Sequence, residues 1–202
     1  WSRGPATRVS AEMLRDLALE ASGQRNDRWG GPSSKPWQPE GLWHEAGQIG
    51  NYVPDMGTDA RRRALYTYRK RTVPPPNMSV WDAGPREACV ARRSVTTTPL
   101  QSLTIFNDRV YLDTARATAR RVMREAHTTP ARIERLYRLV CTTEPNAAEL
   151  GALSELVQTQ TARFATALPD AAKLCGAEDA ELAALVLACS TLYASDGALV
   201  VR

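Results

Sequence analysis

Twice in this chain a threonine stands directly before a proline at the head of an apolar run with helical spacing, at Thr98-Pro99 and Thr129-Pro130. Proline lacks a backbone donor and its φ is already helical. It therefore fits the first turn, where N–H groups have no partner within the helix, and the preceding hydroxyl can accept from one of them. The signature starts helices. The first carries Leu100, Leu103 and Phe106, and Asn107-Asp108 opens another through Tyr111, Ala115, Ala119 and Val122. The second sets Ile133, Leu136, Tyr137 and Val140 on one side and Arg132, Arg135 and Arg138 on the other, an amphipathic surface helix. Asn146 with Glu149 forms a capping box ahead of Leu150, Leu153, Val157 and Phe164, and a last helix runs from Ala180 to about Tyr193. Near the front, Ser10 caps a helix with Met13, Leu14, Leu17, Ala18 and Ala21 until Gly23 offers a stop. No alternating run persists, so the pattern predicts an all-α fold, an irregular helical bundle with long Pro/Gly/Trp-rich loops.

Those loops begin at Gly23. Through Trp29-Gly30-Gly31-Pro32 and Lys35-Pro36-Trp37-Gln38-Pro39-Glu40-Gly41-Leu42-Trp43, as far as Asp59, little regular structure fits. Two readings stand: a long loop packed onto the body by its three tryptophans, or a platform on which a ligand stacks. Asp59 then heads a helix through Arg61 to Arg71 on which Arg62, Leu65 and Arg69 are neighbours and Leu65 and Tyr68 pack inward. Pro74, Pro75 and Pro76 stop it. The 202 residues read as one module, with a loop-rich basic part at 1–107 and a bundle part at 108–202. With no initiator Met, no signal-like opening and no apolar run of about eighteen residues, the chain reads as a fragment without a membrane span, any export signal being expected upstream.

Charge is unevenly spread. Trp1 to Glu125 carries 20 Lys+Arg against 13 Asp+Glu, whereas Ala126 to Arg202 carries 6 against 9. The front is thus +7 and the back −3. Of the 26 basic residues 23 are Arg, which suits forked recognition of carboxylate or phosphate, although GC-rich coding produces the same bias. The concentrated signal is Arg61-Arg62-Arg63, Arg69-Lys70-Arg71, Arg86 and Arg92-Arg93, interleaved with Tyr66, Tyr68 and Trp81. The candidate binding residues are therefore Arg62, Arg69, Arg71, Arg86, Arg92, Arg93, Trp37, Trp43 and Trp81. They suit an anionic glycan, a phosphate backbone or an acidic protein face. On the structural reading, Asp55, Asp59, Asp82, Glu87, Asp108 and Asp113 neutralise the cluster and pin loops to helices.

No pattern of metal, haem or nucleophile chemistry appears. Cys89, Cys141, Cys175 and Cys189 form no CxxC, and four cysteines allow three pairings or simply small buried thiols, the default. His44 and His127 have no partner at metal-ligand spacing, so neither metal nor cofactor is expected in this segment. His44 reads as a surface histidine, and no GxSxG elbow accompanies the serines.

Three stretches carry a resemblance: Gly30-Gly31-Pro32-Ser33 with Lys35 through Trp43; Arg62-Arg63-Ala64-Leu65-Tyr66-Thr67-Tyr68 through Lys70 to Pro76; and Arg86-Glu87-Ala88-Cys89 through Arg92-Arg93 to Thr98-Pro99-Leu100-Gln101 and Asn107-Asp108. Together they resemble, over nearly the whole chain, the C-terminal domain of unknown function, number fifteen fifty-three, of large planctomycete proteins that also carry cytochrome-c-like modules. The resemblance implies an exported, extracytoplasmic multidomain protein, periplasmic or at the cell surface, with haem c held upstream and the upstream domains as partners. It assigns no catalytic residues. Where the family tends to end on an Asn and an Asp-Glu-Phe-like segment, this chain reads Leu192-Tyr193-Ala194-Ser195-Asp196-Gly197-Ala198-Leu199.

The leading expectation is accordingly a non-catalytic binding or scaffold module. The alternative is part of an extracytoplasmic enzyme acting on polysaccharides, with Arg62, Arg69, Asp82, Glu87 and His44 facing an open cleft completed by upstream domains. Nucleic-acid binding through the basic front ranks last, because an exported setting offers little nucleic acid.

Overall fold

The structure, a computed structural model, describes residues 6–47, 50–84 and 89–201. Helix α1 (Ala11–Ala21) is capped by Ser10, whose Oγ accepts from the Met13 N–H at 3.2 Å. It ends just before Gly23, whose φ of +68° turns the chain into the long loop. Short α2 (Leu42–Glu45) and α3 (Pro76–Ser79) interrupt the irregular half, and Pro76 sits at the first turn of α3, so the third proline, expected to stop a helix, starts one. Then follow α4 (Pro99–Asn107), α5 (Arg109–Glu125), α6 (Thr129–Cys141), α7 (Ala147–Ala165), α8 (Leu168–Cys175), α9 (Ala180–Tyr193) and α10 (Asp196–Leu199). Asp108 caps α5 by accepting from Val110 N–H at 2.8 Å, and Asn146 and Glu149 close their capping box at 2.9 and 2.8 Å.

Helix α9 is the axis of the bundle. Leu182, Ala183, Ala184, Leu185, Val186, Ala188, Cys189, Leu192 and Tyr193 are all buried, and a helix apolar on every side has to be surrounded. Helices α5, α6, α7 and α8 surround it. Each fully buried Leu or Val contributes roughly 1.5–3 kcal/mol of burial. The Tyr193 hydroxyl meets Thr118 Oγ1 at 3.1 Å and Ala18 O at 3.4 Å, linking α9 to α5 and α1. Cys141, Cys175 and Cys189 are buried and Cys89 is exposed, none in a disulfide. Burial pushes the Cys189 thiol up to about 12 and the Cys141 thiol up to about 11. These are packing groups.

The expected all-α fold is present, with one addition. Strand β1 (Thr7–Arg8) pairs antiparallel with β2 (Val200–Val201), Thr7 opposite Val201, and Val9 N–H donates to Leu199 O at 2.9 Å. Two residues per strand are too few to show an alternating pattern.

The helix expected over Arg61 to Arg71 does not form. Two 3₁₀ turns, Asp59–Arg61 and Ala64–Tyr66, flank an extended Arg62, and Thr67 is extended as well. The backbone finds its partners in the tryptophan loop instead. Asn26 N–H donates to Arg61 O, Ser34 N–H to Tyr66 O, and Tyr68 N–H to Ser34 O, at 3.0, 2.7 and 2.6 Å. Leu65, expected inside, is 61% exposed.

Candidate functional site

Arg62 is the peg of the loop region. Only 2% exposed, its guanidinium donates to three backbone carbonyls, those of Arg28 at 3.1 Å, Gly30 and Pro32, and stacks over Tyr66 at 3.9 Å. It holds the Gly-Gly-Pro turn by a forked contact that a lysine cannot reproduce. Arg69 donates to Gly84 O at 2.7 Å and reaches Met78 Sδ. Lys70 lies 4.2 Å above the ring of Trp43, which also packs on Tyr52 and Tyr68. Tyr52 donates to Pro36 O at 2.6 Å, while Asp55 accepts from Lys35 N–H at 2.7 Å. The loop is thus pinned by its own aromatics. Trp29 is the exception at 78% exposed.

The expected carboxylate neutralisation is corrected in kind. Asp55 caps backbone, Asp82 binds Thr96, Asp108 caps α5, and Asp113 pairs with Arg109 and Arg116. Of the six acids proposed, Asp59 alone among the described residues meets a loop arginine, Arg28 at 3.8 Å. Carbonyls do most of the work because extended and turn backbone leaves their lone pairs unused.

The other predicted site residues scatter. Arg71 is exposed beside Tyr66 and Tyr68, Arg92 is exposed, and Arg93 pairs with Glu12 at 2.8 Å. Burial raises the Glu12 carboxyl, but the Arg93 guanidinium, a backbone N–H and Ser10 together outweigh it and hold the group below its ordinary value. Trp81 is buried, with Arg8 over its ring at 4.9 Å, so it anchors the core. Arg86, like Glu87, lies outside the described residues. Of the five residues expected to face an enzymatic cleft, Arg62 and Arg69 are turned to backbone carbonyls and Asp82 to Thr96; His44 alone among the described ones lines the cleft described next.

That cleft, of about 750 Å³, lies between the tryptophan loop and helices α1 and α5. Trp37, Gln38, Trp43, His44 and Tyr52 form its loop wall, Arg15 and Leu19 come from α1, and Arg109, Val110, Asp113 and Thr114 from α5. Such a volume is typical of a small-molecule site, and the mixture of aromatics with a few polar groups is too. Arg15 is the residue the sequence reading missed. It is 4% exposed, and its one hydrogen bond, from Nη2, goes to Ala60 O at 2.7 Å, leaving Nε and Nη1 without an acceptor. Burial lowers its affinity for the proton, opposed by Tyr111, Asp16, Asp108 and Tyr52 nearby. In the same cleft, Gln38 Oε1 and Trp43 Nε1 are buried without partners. The signal was present: Ala11, Arg15, Ala18 and Leu19 lie on one stripe of α1.

A second hollow, of about 960 Å³, opens between α1, α6, α7 and α10. Among the described residues, no buried polar atom lacking a partner lines it. Nor, among them, do three His, Cys, Asp or Glu side chains gather closely enough to hold a metal ion. No described helix is long and apolar enough to cross a membrane.

A protein-family model described as PSD1, protein of unknown function (DUF1553), matches residues 1–157. Residues 158–202 lie outside that match, which is therefore shorter than the nearly whole-chain resemblance read from the three motifs. No curated protein matches the chain, and no solved structure matches it.

Proposed function

We propose, from the premise that this chain belongs to the DUF1553 family, that it is a non-catalytic binding and scaffold module of an exported multidomain protein. Its partners are the upstream domains of the same protein, including the cytochrome-c-like module that holds haem. The setting is extracytoplasmic.

The observation that carries this reading is where the distinctive residues are spent. Arg62 is consumed by three carbonyls of its own loop, Lys70 by the face of Trp43, and Trp81 by the core. An enzyme built on these loops would leave its cations facing the place where charge develops. Here they lock a long irregular segment onto itself, the behaviour of a rigid surface made for holding something. Exposed Leu100, Leu103 and Phe106 on α4 give that surface an apolar side.

The reading is tested by producing the upstream modules with and without this segment. Lower solubility or slower electron transfer by the haem module is expected when the segment is missing. Identical folding, assembly and redox behaviour of both forms would end the scaffold reading.

A further inference from the structure

A buried arginine with two of its three nitrogens unpartnered is the feature the scaffold reading does not use. Burying a cation is costly, and proteins offset the cost with a counter-charge or a full set of acceptors. Arg15 has neither among the described residues: one carbonyl serves Nη2, and no carboxylate lies within 4 Å. Asp16 is turned away to accept from Ala64 N–H at 2.6 Å, and Asp108 to cap α5. Arg62, equally buried, has three carbonyl acceptors on its two terminal nitrogens and leaves only Nε unpaired. The difference between the two is that Arg15 lines the cleft.

The geometry points to this cleft as a binding site for a hydroxylated organic carboxylate of the sugar-acid kind, held by Arg15 through its carboxylate. The guanidinium supplies the planar fork that suits a carboxylate. Gln38 Oε1 needs a donor and Trp43 Nε1 an acceptor, and a ligand hydroxyl is both, so the remaining orphans specify hydroxyl groups beside the acid. The rings of Trp37, Trp43 and Tyr52 offer faces for the ligand's C–H surface. Charge favours a single negative charge over two. The cationic Arg15, Arg61 and Arg109 on the lining are matched by Glu40, Asp55 and Asp113, so a phosphate dianion would face three carboxylates. This site rests on the binding-module reading and names its ligand class.

Titration calorimetry of the whole chain with D-galacturonate, D-galactose, benzoate and inorganic phosphate separates the components. Galacturonate is expected to bind saturably. Galactose, lacking the acid, and benzoate, lacking the hydroxyls, should bind about tenfold or more weakly, as loss of a charge-assisted or buried hydrogen bond predicts. Phosphate should bind more weakly than galacturonate. Arg15→Met is the decisive variant: with the uncompensated charge gone, the free protein should resist urea at least as well as the parent. Its galacturonate affinity should nevertheless fall about tenfold or more. Should that variant not fold, Trp43→Phe keeps an aromatic face, drops the indole N–H donor and should weaken galacturonate several-fold. Equal binding of galactose and galacturonate, tighter binding of phosphate, undiminished affinity in the folded variant, or no saturable binding of any probe would each overturn the site. The scaffold reading would stand or fall separately on the upstream-module comparison.

Discussion

At the scale of single residues, two buried arginines show how one side chain serves opposite ends. Arg62 spends both terminal nitrogens on carbonyls and leaves only its Nε unpaired, so removing it takes away the shared donor that gathers the carbonyls of Arg28, Gly30 and Pro32. Arg62→Ala should therefore cost about 3 kcal/mol in urea denaturation. Arg62→Lys should recover only a minor part, because an ammonium cannot span three acceptors as a planar fork does. An alanine variant as stable as the parent would show that the loop does not depend on this peg. Arg62 was legible as important from its place in a basic, aromatic run, yet its partners were not, because they lie some thirty residues back along the chain. Arg15 went unread for a different reason. A lone arginine in an otherwise ordinary amphipathic helix carries no local signal, and only its shared stripe with Ala11, Ala18 and Leu19 marks it as buried.

At the scale of elements, what was read correctly is what local chemistry decides. Ser10, Asp108 and Asn146 each accept from a first-turn N–H of their own helix, an interaction complete within four residues, whereas at α6 the cap is Thr128, one residue before the threonine of the Thr129-Pro130 signal. The segment from Arg61 to Arg71 was misread because its donors and acceptors are satisfied by Asn26 and Ser34, which no window on the sequence contains. Helix α4 gives an intermediate case. Its start was legible, but the apolar Leu100, Leu103 and Phe106 face outward while Gln101 is buried, binding Val80 O, Thr98 N–H and Arg8. Two leucines measure the contrast. Leu185→Ala in α9 should cost 2–5 kcal/mol, because the cavity it leaves is walled on every side. Leu103→Ala, at a site 57% exposed, should change stability by no more than about 0.5 kcal/mol. Comparable losses at both positions would contradict the placement of α9 at the axis.

At the scale of the whole molecule, charge ties separate elements together and sets an acid limit. Arg121 and then Arg135 hold the Glu125 carboxyl below its ordinary value, joining α5 to α6, and Arg93 does the same for Glu12 on α1. A carboxyl whose proton affinity falls on folding adds stability above its unfolded value, about 4.5, and that stability is lost as pH drops through the folded value. The urea midpoint should therefore decline on acidification below about pH 4.5, and the Glu12→Gln, Glu125→Gln double variant should decline less. Asp108 works the other way: burial raises its carboxyl, so its contribution is greatest below the ordinary value of 3.8 and fades as pH rises. An acid profile unaltered by the double variant would remove these two carboxylates from the account.

The pairing of Thr7 and Arg8 with Val200 and Val201 couples regions that the chain otherwise keeps far apart. Arg8 reaches on from that pairing to Thr97, Gln101 and the ring of Trp81. Peeling the final strand away would thus slacken the first one, release a clasp on the start of α4 and uncover a core tryptophan in a single event. The tail acts as a latch whose loss is felt a hundred residues upstream.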